Sequence, residues 1–342
     1  MGYYIGIDVS LEVSHFCVVD VDGKALKEAR VASEPDAILE WLGGLGFELQ
    51  AIGLEAGPLS QWLYAAMSSA GLPVVLLETR QVSDAFRSMP VKTDRKDARG
   101  IAQLMRLGWY RQVHCKSQEA QETRTLLAGR KMLQSRYIDI EMCLRGLLRG
   151  YGLKVGPTNR KTFEARVQEL AALVPGLTET IDALLKARAT LVVQFRRLDN
   201  MVIKKAKKDE RAQLLMTVPG VGALISLTFV SAIDDPKRFR SSRTVGAHLG
   251  LTQRKYQSGE TDVTGRISKC GDQEVRTALY EAANIILTRP VKGSQLKSWA
   301  AKVAVRAGMK KAKVALARKL AVVMHRMLSD GSCFDPKPAA AA

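Results

Sequence analysis

The hydrophobic pattern of the first part of the chain predicts strands that alternate with helices. Short runs of apolar, aromatic and β-branched residues are typical of strands, and they lie at residues 3–10, 14–21, 51–55 and 74–77. Pro58 opens a helical pattern over residues 59–70. This alternation predicts an α/β layer fold for residues 1–112.

The pattern then becomes almost purely helical. Apolar residues recur at helical spacing over 138–148 and 184–202, which predicts long amphipathic helices. We interpret residues 113–213 as a helical or coiled-coil connector, although the same spacing also fits a plain helical spacer. Residues 214–330 form a third, mainly helical region, and residues 331–342 are expected to be a flexible tail. The predicted fold class is therefore α/β plus α.

Four carboxylates stand where these elements would present them at a site. Asp8 comes late in the first strand, and Glu55 closes an apolar strand before Pro58. Asp94 and Asp97 are three residues apart at the start of a helical pattern, so they lie on one helix face. Hard divalent cations take oxygen ligands and stabilise displacement at a phosphodiester. Each acid alone also fits an ordinary strand end or helix cap, but together they predict a metal site.

The composition indicates a polyanionic partner. The chain has 342 residues and a formal net charge of +18, and 46% of its residues are hydrophobic, so it is long enough to bury a core. Residues 290–328 contain no Asp or Glu, and their Lys and Arg residues alternate with apolar ones. This pattern predicts a basic helix pair that binds nucleic acid, while a solvated face is the plainer alternative.

The basic residues that we select as nucleic-acid contacts lie in the C-terminal region. They are Arg238, Arg240, Arg243, Arg254, Lys255, Arg266, Lys269, Lys310, Lys311 and Lys313. In the same region, the PGVG segment at 219–222 resembles a helix-hairpin-helix turn, in which backbone N–H groups approach a phosphate. The segment fits an ordinary turn equally well.

Several other classes of protein are not expected. No apolar stretch approaches the roughly 18–20 residues that span a bilayer, and the start of the chain lacks the layout of a secretory signal. The five cysteines are scattered and form no CxxC pair, so we expect reduced thiols and no zinc site. A cytoplasmic, nucleoid-associated location without a membrane partner follows as the expectation.

Seven short motifs carry a family resemblance. The N-terminal ones are GIDVS at 6–10, LEAG at 54–57 and KTDRKDARGIAQL at 92–104. The C-terminal ones are PGVG at 219–222, RFRSSRTVGAHLGL at 238–251, QSG at 257–259 and GRISKCGDQEVRTALYEAA at 265–283. In type and order they resemble the RuvC-like DEDD insertion-sequence transposases related to the Piv invertase, described as bridge-RNA-guided serine recombinases. Cys270 and Asp272 depart from the basic or small polar residues expected there.

The resemblance implies a fold and a chemistry. Residues 1–112 would form a ribonuclease-H-like catalytic domain whose four acids hold Mg²⁺ or Mn²⁺, and residues 214–330 a serine-bearing DNA-binding domain. Ser258 would attack the scissile phosphate and form a phosphoserine ester that retains the energy of the broken bond. Donor DNA, target DNA and a bridge RNA are the implied partners. A homodimer or homotetramer is expected, because the serine and the acids lie in separate domains.

The sequence leaves alternatives open for the nucleophile and for the function. The residues around Ser258 also fit a turn, and Ser241, Ser242 and Ser268 are competing nucleophiles. A Holliday-junction-resolving nuclease would use the same four acids with water and would not need the serine. An architectural nucleic-acid binder would need only the basic C-terminal region.

Overall fold

The computed structural model describes residues 2–87, 91–290 and 294–336. The chain divides into two compact units, Met1–Lys116 and Ser117–Ala342. The sequence analysis treats residues 113–213 and 214–330 as separate regions, whereas the structure groups them in the second unit.

A five-stranded mixed sheet organises the first unit. Its elements are β1 (Tyr3–Asp8), β2 (Val13–Val19), β3 (Ala25–Ala32), α1 (Pro35–Gly43), β4 (Leu49–Glu55), α2 (Ser60–Ser69), β5 (Val74–Leu77), α3 (Thr79–Phe86) and α4 (Asp94–Leu107). The strand order is β3-β2-β1-β4-β5, with β2 antiparallel to both of its neighbours and β1, β4 and β5 parallel to one another. This arrangement is ribonuclease-H-like, so the predicted fold is confirmed.

The strand β3 is absent from the sequence-based prediction. It lies at the edge of the sheet, and most of its side chains are exposed or half-buried. Charged residues such as Lys27, Glu28 and Arg30 are usual on an edge strand, because they discourage pairing with other chains. They also remove the apolar alternation by which a strand is recognised in a sequence.

Different helices cover the two faces of this sheet. On one face, Ile5 and Ile52 belong to an apolar core that also contains buried residues of α1 and α2. The other face carries Gly6 and Gly53, which are partners across β1 and β4. The helix α4 lies directly on these glycines: a Cβ atom on Gly6 would come within 2.1 Å of the Ala98 carbonyl oxygen.

Where the structure describes the second unit, it is helical apart from one β-hairpin. Its elements are α5 (Gln118–Gly150), α6 (Phe163–Ala171), α7 (Thr178–Lys208), α8 (Glu210–Met216), α9 (Ala223–Ile233), α10 (Ser242–His248), β6 (Gln253–Ser258), β7 (Thr261–Ile267), α11 (Gln273–Thr288), α12 (Gln295–Ala307) and α13 (Met309–Asp330). The long helices α5 and α7 pack together, with the rings of Tyr137 and Phe195 5.4 Å apart. Val202 of α7 and Leu227 of α9 share a buried cluster, which joins the long helices to the C-terminal region.

The segment predicted to resemble a helix-hairpin-helix turn connects α8 and α9. Residues 225–233 of α9 are buried on all sides, as expected for a helix that is apolar all round. Gly220 has a φ angle of +83°, and a Cβ atom there would meet the Ala282 carbonyl oxygen and Ile286 at 3.2 Å. Close packing of the turn on α11 therefore accounts for this glycine.

The segment after α13 differs from the predicted flexible tail. Phe334 packs against the apolar core of the second unit, and its N–H donates to Thr217 Oγ1 at 3.0 Å. The Gln295 N–H donates to the carbonyl of Pro336 at 3.1 Å. Residues 331–336 are thus held by packing and hydrogen bonds, and residues 337–342 of the predicted tail lie outside the described residues.

Two further sequence-based expectations concern cysteines and membranes. All five cysteines are free thiols, as expected. Within residues 2–87, 91–290 and 294–336, no helix combines the length and the apolar character that a bilayer crossing requires.

Candidate active site and nucleic-acid interface

The four predicted carboxylates are brought to one end of the sheet in the first unit. Asp8 ends β1 and Glu55 ends β4, and the parallel pairing of Ile7 with Leu54 places the two acids side by side on the same face. Asp94 and Asp97 lie in the first turn of α4, which covers that face. The four acids therefore lie at the ends of two strands and at the start of one helix.

Close packing fixes the position of α4. Gly6 and Gly53 precede Asp8 and Glu55 by two residues, so they share the face on which the acids lie. A Cβ atom on Gly6 would meet the Ala98 carbonyl oxygen at 2.1 Å and the Ala102 nitrogen at 2.3 Å, and one on Gly53 would meet Met105 Sδ at 2.5 Å. Glycine at position 6 lets the backbone of α4 approach β1 this closely, and glycine at position 53 leaves room for the Met105 side chain.

The start of α4 favours acids locally. The Thr93 side chain caps the helix by accepting the Lys96 N–H at 3.3 Å, and the positive end of the helix dipole stabilises carboxylates in the first turn. Arg95 turns away to form an ion pair with Glu28 on β3. Asp97 is 8% exposed, and Lys92 Nζ lies 3.8 Å from its Oδ2.

The acids disfavour each other's ionised forms. Burial, followed by repulsion from Asp97 and Asp94, raises the pKa of Asp8 to about 6. Burial and the Asp8 charge also raise the pKa of Glu55. A hard divalent cation suits such an all-oxygen donor set, because it offsets the repulsion. Within the described residues, however, no three His, Cys, Asp or Glu side chains form a ready-made metal-binding group.

Two polar neighbours of this cluster were not predicted from the sequence. His15 on β2 is the register partner of Asp8, and its Nδ1 is buried, has no hydrogen-bond partner among the described residues, and lies 3.8 Å from Asp94 Oδ2. Thr79 Oγ1 lies 2.9 Å from the Ala56 carbonyl oxygen, and the Thr79 side chain opposes the rise in the pKa of Glu55. Strand register, which a sequence does not display, is the signal that would have identified His15.

Ser258 lies in the second unit, at the exposed end of the β6–β7 hairpin. It pairs with Thr261 across a turn in which Gly259 has a φ angle of +54°. The turn predicted around Ser258 is therefore present, but the strands that flank it were not predicted. Every residue of β6 is exposed, Ser258 included. This hydroxyl is accessible to a large substrate.

Two of the competing serines serve local structure. Ser241 caps α10 by accepting the Arg243 N–H at 3.3 Å. The Ser268 hydroxyl accepts the Cys270 N–H at 3.4 Å in the loop that precedes α11. Their hydroxyl oxygens are engaged in backbone hydrogen bonds, which accounts for both serines without a catalytic role.

Ser242 is the competing serine that has a base beside it. Its Oγ lies 2.9 Å from Nδ1 of His325, which is 2% exposed. The opposite nitrogen of His325 lies 3.1 Å from the Pro236 carbonyl oxygen, so it carries the hydrogen and Nδ1 accepts. Burial lowers the pKa of His325 and favours this neutral form. The arrangement fits a satisfied core histidine and also a serine activated by a base.

Asp272 shows why one motif departs from the expected residue types. It caps α11 by accepting the Glu274 N–H at 2.8 Å, and it forms an ion pair with Arg124 of α5. Burial alone would raise the pKa of Asp272, but Arg124 and the helix N–H groups hold it below the usual value. An acid at this position therefore stabilises the second unit.

Three of the predicted basic contacts line one groove. Arg266 of β7 and Lys310 and Lys311 of α13 border a groove of about 1690 Å³ in the second unit. The base of the β6–β7 hairpin, α12, α13 and residues 332–336 form its walls. Lys313 lies instead over the ring of Tyr280, 5.8 Å from its centre.

The remaining predicted contacts are dispersed. Arg238 donates to the Ile233 carbonyl at 3.0 Å at the end of α9, and burial lowers the pKa of this guanidinium. Lys255 pairs with Asp262 at 3.0 Å, and Arg254 donates to the Ser268 carbonyl at 3.1 Å. Arg240, Arg243 and Lys269 are exposed, as are Arg254 and Lys255. Arg238 thus has a structural role, whereas the exposed residues are available to phosphates.

Comparison with known proteins identifies the family. Residues 5–153 match a transposase model of the IS110 DEDD type, and residues 212–298 match the model described as Transposase IS116/IS110/IS902 family. The transposase for insertion sequence element IS1111A of Coxiella burnetii is 29% identical over 331 residues, which are 95% of this chain and 89% of that protein. The pilin gene-inverting protein of Moraxella bovis is 28% identical over 38% of this chain and 40% of that protein.

Among solved structures, Thermus thermophilus RuvC in complex with a Holliday junction substrate aligns with a TM-score of 0.27 and 17% identity, covering 33% of this chain and 100% of that chain. The two family matches contain all four carboxylates and Ser258. They follow the order of the motifs along the sequence. The chain belongs to the IS116/IS110/IS902 family of insertion-sequence transposases.

Proposed function

We propose that this transposase is a metal-dependent serine recombinase. The carboxylates Asp8, Glu55, Asp94 and Asp97 would act on the scissile phosphate, and Ser258 would be the nucleophile. The observation that carries the proposal is the gathering of four acids at one end of the sheet, where the pKa of Asp8 is raised to about 6. Repulsion among acids destabilises a purely structural cluster, whereas a bound cation offsets it.

The acids and their neighbours have distinct roles. A bound Mg²⁺ or Mn²⁺ would supply Lewis-acid stabilisation of charge that develops on phosphate oxygens. The four carboxylates provide the oxygen ligands, and the packing of α4 on Gly6 holds Asp97 near Asp8. Lys92, whose Nζ is 3.8 Å from Asp97, adds a positive charge beside the acids.

Ser258 performs the strand exchange in this scheme. Its Oγ would form a bond to phosphorus as the bond from phosphorus to the leaving deoxyribose oxygen breaks, and the proton lost by the serine balances the proton that the leaving oxygen takes up. The resulting phosphoserine ester retains the energy of the broken bond, so attack by another deoxyribose hydroxyl rejoins the strands. An exposed hairpin end suits this role, because both the incoming and the outgoing strand need access.

The proposed partners are donor and target DNA, a bridge RNA and further copies of the chain. The net charge of +18 and the basic groove support nucleic-acid binding. Exposed apolar side chains on α5 and α7, among them Met132, Met142 and Val193, support self-association as a homodimer or homotetramer.

Trapping of a covalent protein–DNA adduct tests this function. A nicked substrate, from which the cleaved end diffuses away, should accumulate an adduct with wild-type protein and none with Ser258→Ala. The matched control is Ser268→Ala, which should retain the adduct because that serine has only a local hydrogen-bonding role. Circular dichroism and DNA binding establish that each variant is folded.

Two results would redirect the proposal. Loss of the adduct in Ser242→Ala and in His325→Gln, with retention in Ser258→Ala, would make the Ser242–His325 pair the nucleophilic site, as their 2.9 Å contact allows. Metal-dependent cleavage without any adduct would favour the resolvase-like mechanism, in which the carboxylate site activates water.

A further inference from the structure

The groove of the second unit combines an apolar floor with a basic rim. Trp299, Val303 and Val314 are half-buried and contribute to the floor. The residues that line it include six Lys or Arg side chains and two carboxylates, Asp330 and Asp335. Asp330 is already paired with Arg326 at 3.1 Å. The charge of the lining therefore favours an anion, while its floor favours an apolar or aromatic group.

A nucleic-acid duplex satisfies only one of these two features. Its phosphates lie on the outside and its bases are stacked inside, so it would engage the basic rim and leave the apolar floor in contact with water. An unpaired strand presents phosphates and the faces of its bases together, and single-strand sites pair a basic groove with apolar or aromatic platforms.

We propose that this groove binds an unpaired polynucleotide strand. Its bases lie on the floor formed by Trp299, Val303 and Val314, and its phosphates contact Arg266, Lys310 and Lys311. Lys319 lies over the Trp299 ring, 4.1 Å from its centre, which orients the ring and adds charge at the floor. The inference deepens the proposed function, because it takes the ligand to be nucleic acid, but it does not depend on the nucleophile.

The groove is continuous with the hairpin that carries Ser258. Gln253 and Ile267, which pair at the base of the hairpin, belong to the groove lining. Ser258 lies five residues beyond Gln253 along β6, which is roughly 17 Å at the rise of a strand. A strand that leaves the groove along the hairpin therefore passes the serine, so the groove would hold the segment that flanks the exchanged phosphate.

Two exposed cysteines provide an internally controlled test. Cys333 lines the groove, whereas Cys143 lies on α5 outside it. The alkylation rate of each thiol is measured by peptide mass spectrometry on full-length Ser258→Ala protein in EDTA, so that no strand is cleaved. An oligonucleotide of about 20 unpaired residues should slow the alkylation of Cys333 at least about fivefold and leave the alkylation rate of Cys143 unchanged. Oligothymidylate and oligouridylate distinguish DNA from RNA, and a duplex of equal length should protect neither thiol.

A second test fills the groove. Ala315 lines it on α13, and Ala315→Trp should weaken binding of the unpaired strand at least about tenfold while changing duplex affinity less than about twofold. Ala301→Trp is the matched control, because Ala301 is exposed on α12 and is not part of the lining. Ser332→Trp narrows the groove from the segment after α13, and should act like Ala315→Trp if the latter fails to fold.

Three outcomes would overturn the inference. Unchanged single-strand affinity in both groove-filling variants would exclude the groove as the site. Equal losses of affinity for the single strand and for the duplex would indicate a general electrostatic surface. Protection of Cys333 by an acidic amphipathic peptide, but not by an oligonucleotide, would make the groove a protein-docking site. Because binding is measured without Ser258, a failure of the serine mechanism leaves these results unaffected.

Discussion

The carboxylate cluster and the serine hairpin are held in place by different physical means. The acids of the first unit are positioned by close packing, since α4 rests on the backbone of Gly6 and Gly53. Ser258 is positioned by the pairing register of a two-stranded ribbon whose strands are almost wholly exposed. An isolated two-stranded ribbon is marginally stable in water. We therefore expect a rigid catalytic half and an adaptable half that orders on its substrate.

The electrostatic settings differ in the same way. Asp8 and Glu55 carry raised pKa values, so their charges destabilise the first unit until a counter-charge is present. Ser258 is neutral and exposed, and it places no comparable strain on its unit. Neutralising an acid should thus lower activity and raise stability, whereas replacing Ser258 should change activity without changing stability.

The largest expected effect is on catalysis at the acids. Asp97→Asn should lower metal-dependent strand cleavage by about 10³-fold or more, because stabilisation of the phosphate charge requires the ionised carboxylates. DNA affinity, measured on the same preparations, should stay within about twofold, since basic residues supply it. Asp36→Asn, an exposed acid on α1, is the matched control. Full cleavage by folded Asp97→Asn protein would refute the metal-site proposal.

The contrast between packed and exposed positioning can be tested with two glycines. Gly6→Ala should lower the free energy of unfolding of the first unit by roughly 3 kcal/mol, because its new Cβ atom meets rigid backbone of α4. Gly259→Ala, where no atom lies within 4 Å, should cost only the strain of its positive φ angle, about 1–2 kcal/mol within the hairpin. Urea denaturation and hydrogen exchange measure the two effects. Equal losses of unfolding free energy, in the first unit for Gly6→Ala and in the hairpin for Gly259→Ala, would contradict the comparison.

The groove lysines should affect binding more than a lysine that faces away. Neutralising Lys310 and Lys311 together with Gln should reduce the slope of log affinity against log salt concentration by about two. Lys313→Gln should change this salt slope by less than one unit, because the Lys313 ammonium lies over the Tyr280 ring. Lys302→Gln, an exposed residue of α12 outside the groove, is the control. Equal slopes for Lys302→Gln and Lys310→Gln would show that the groove does not collect phosphates.

The smallest expected effect is on stability against pH. The folded-state pKa of Asp8 is about 6 against an unfolded value of 3.8, so between these values the folded protein binds more protons. Ionisation of Asp8 therefore destabilises the folded state as pH rises through this range. In EDTA, the melting-temperature advantage of Asp8→Asn over wild type should grow from about pH 4 to pH 6 and then level off. A melting-temperature advantage that shrinks with rising pH would show that ionised Asp8 stabilises the folded state.

The departures from the sequence-based prediction have a common cause. The apolar strands β1, β4 and β5 were predicted because each buries a face in the core, whereas β3, β6 and β7 were missed because polar and exposed strands carry no such pattern. Arg238 was selected as a phosphate contact by charge alone, but it caps the end of α9. Local patterns record burial and composition, and they do not record which neighbour a side chain meets.

The sequence by itself determined the α/β layer of the first unit, the helical character of the second and the four acids at element ends. These features are local, because periodicity and strand or helix termini are properties of short segments. Tertiary structure alone decided that His15 faces Asp8, that Gly6 admits α4, and that Arg266 and Lys310 line one groove. Those relations join residues far apart in the chain, and they depend on strand register and on the packing of whole elements.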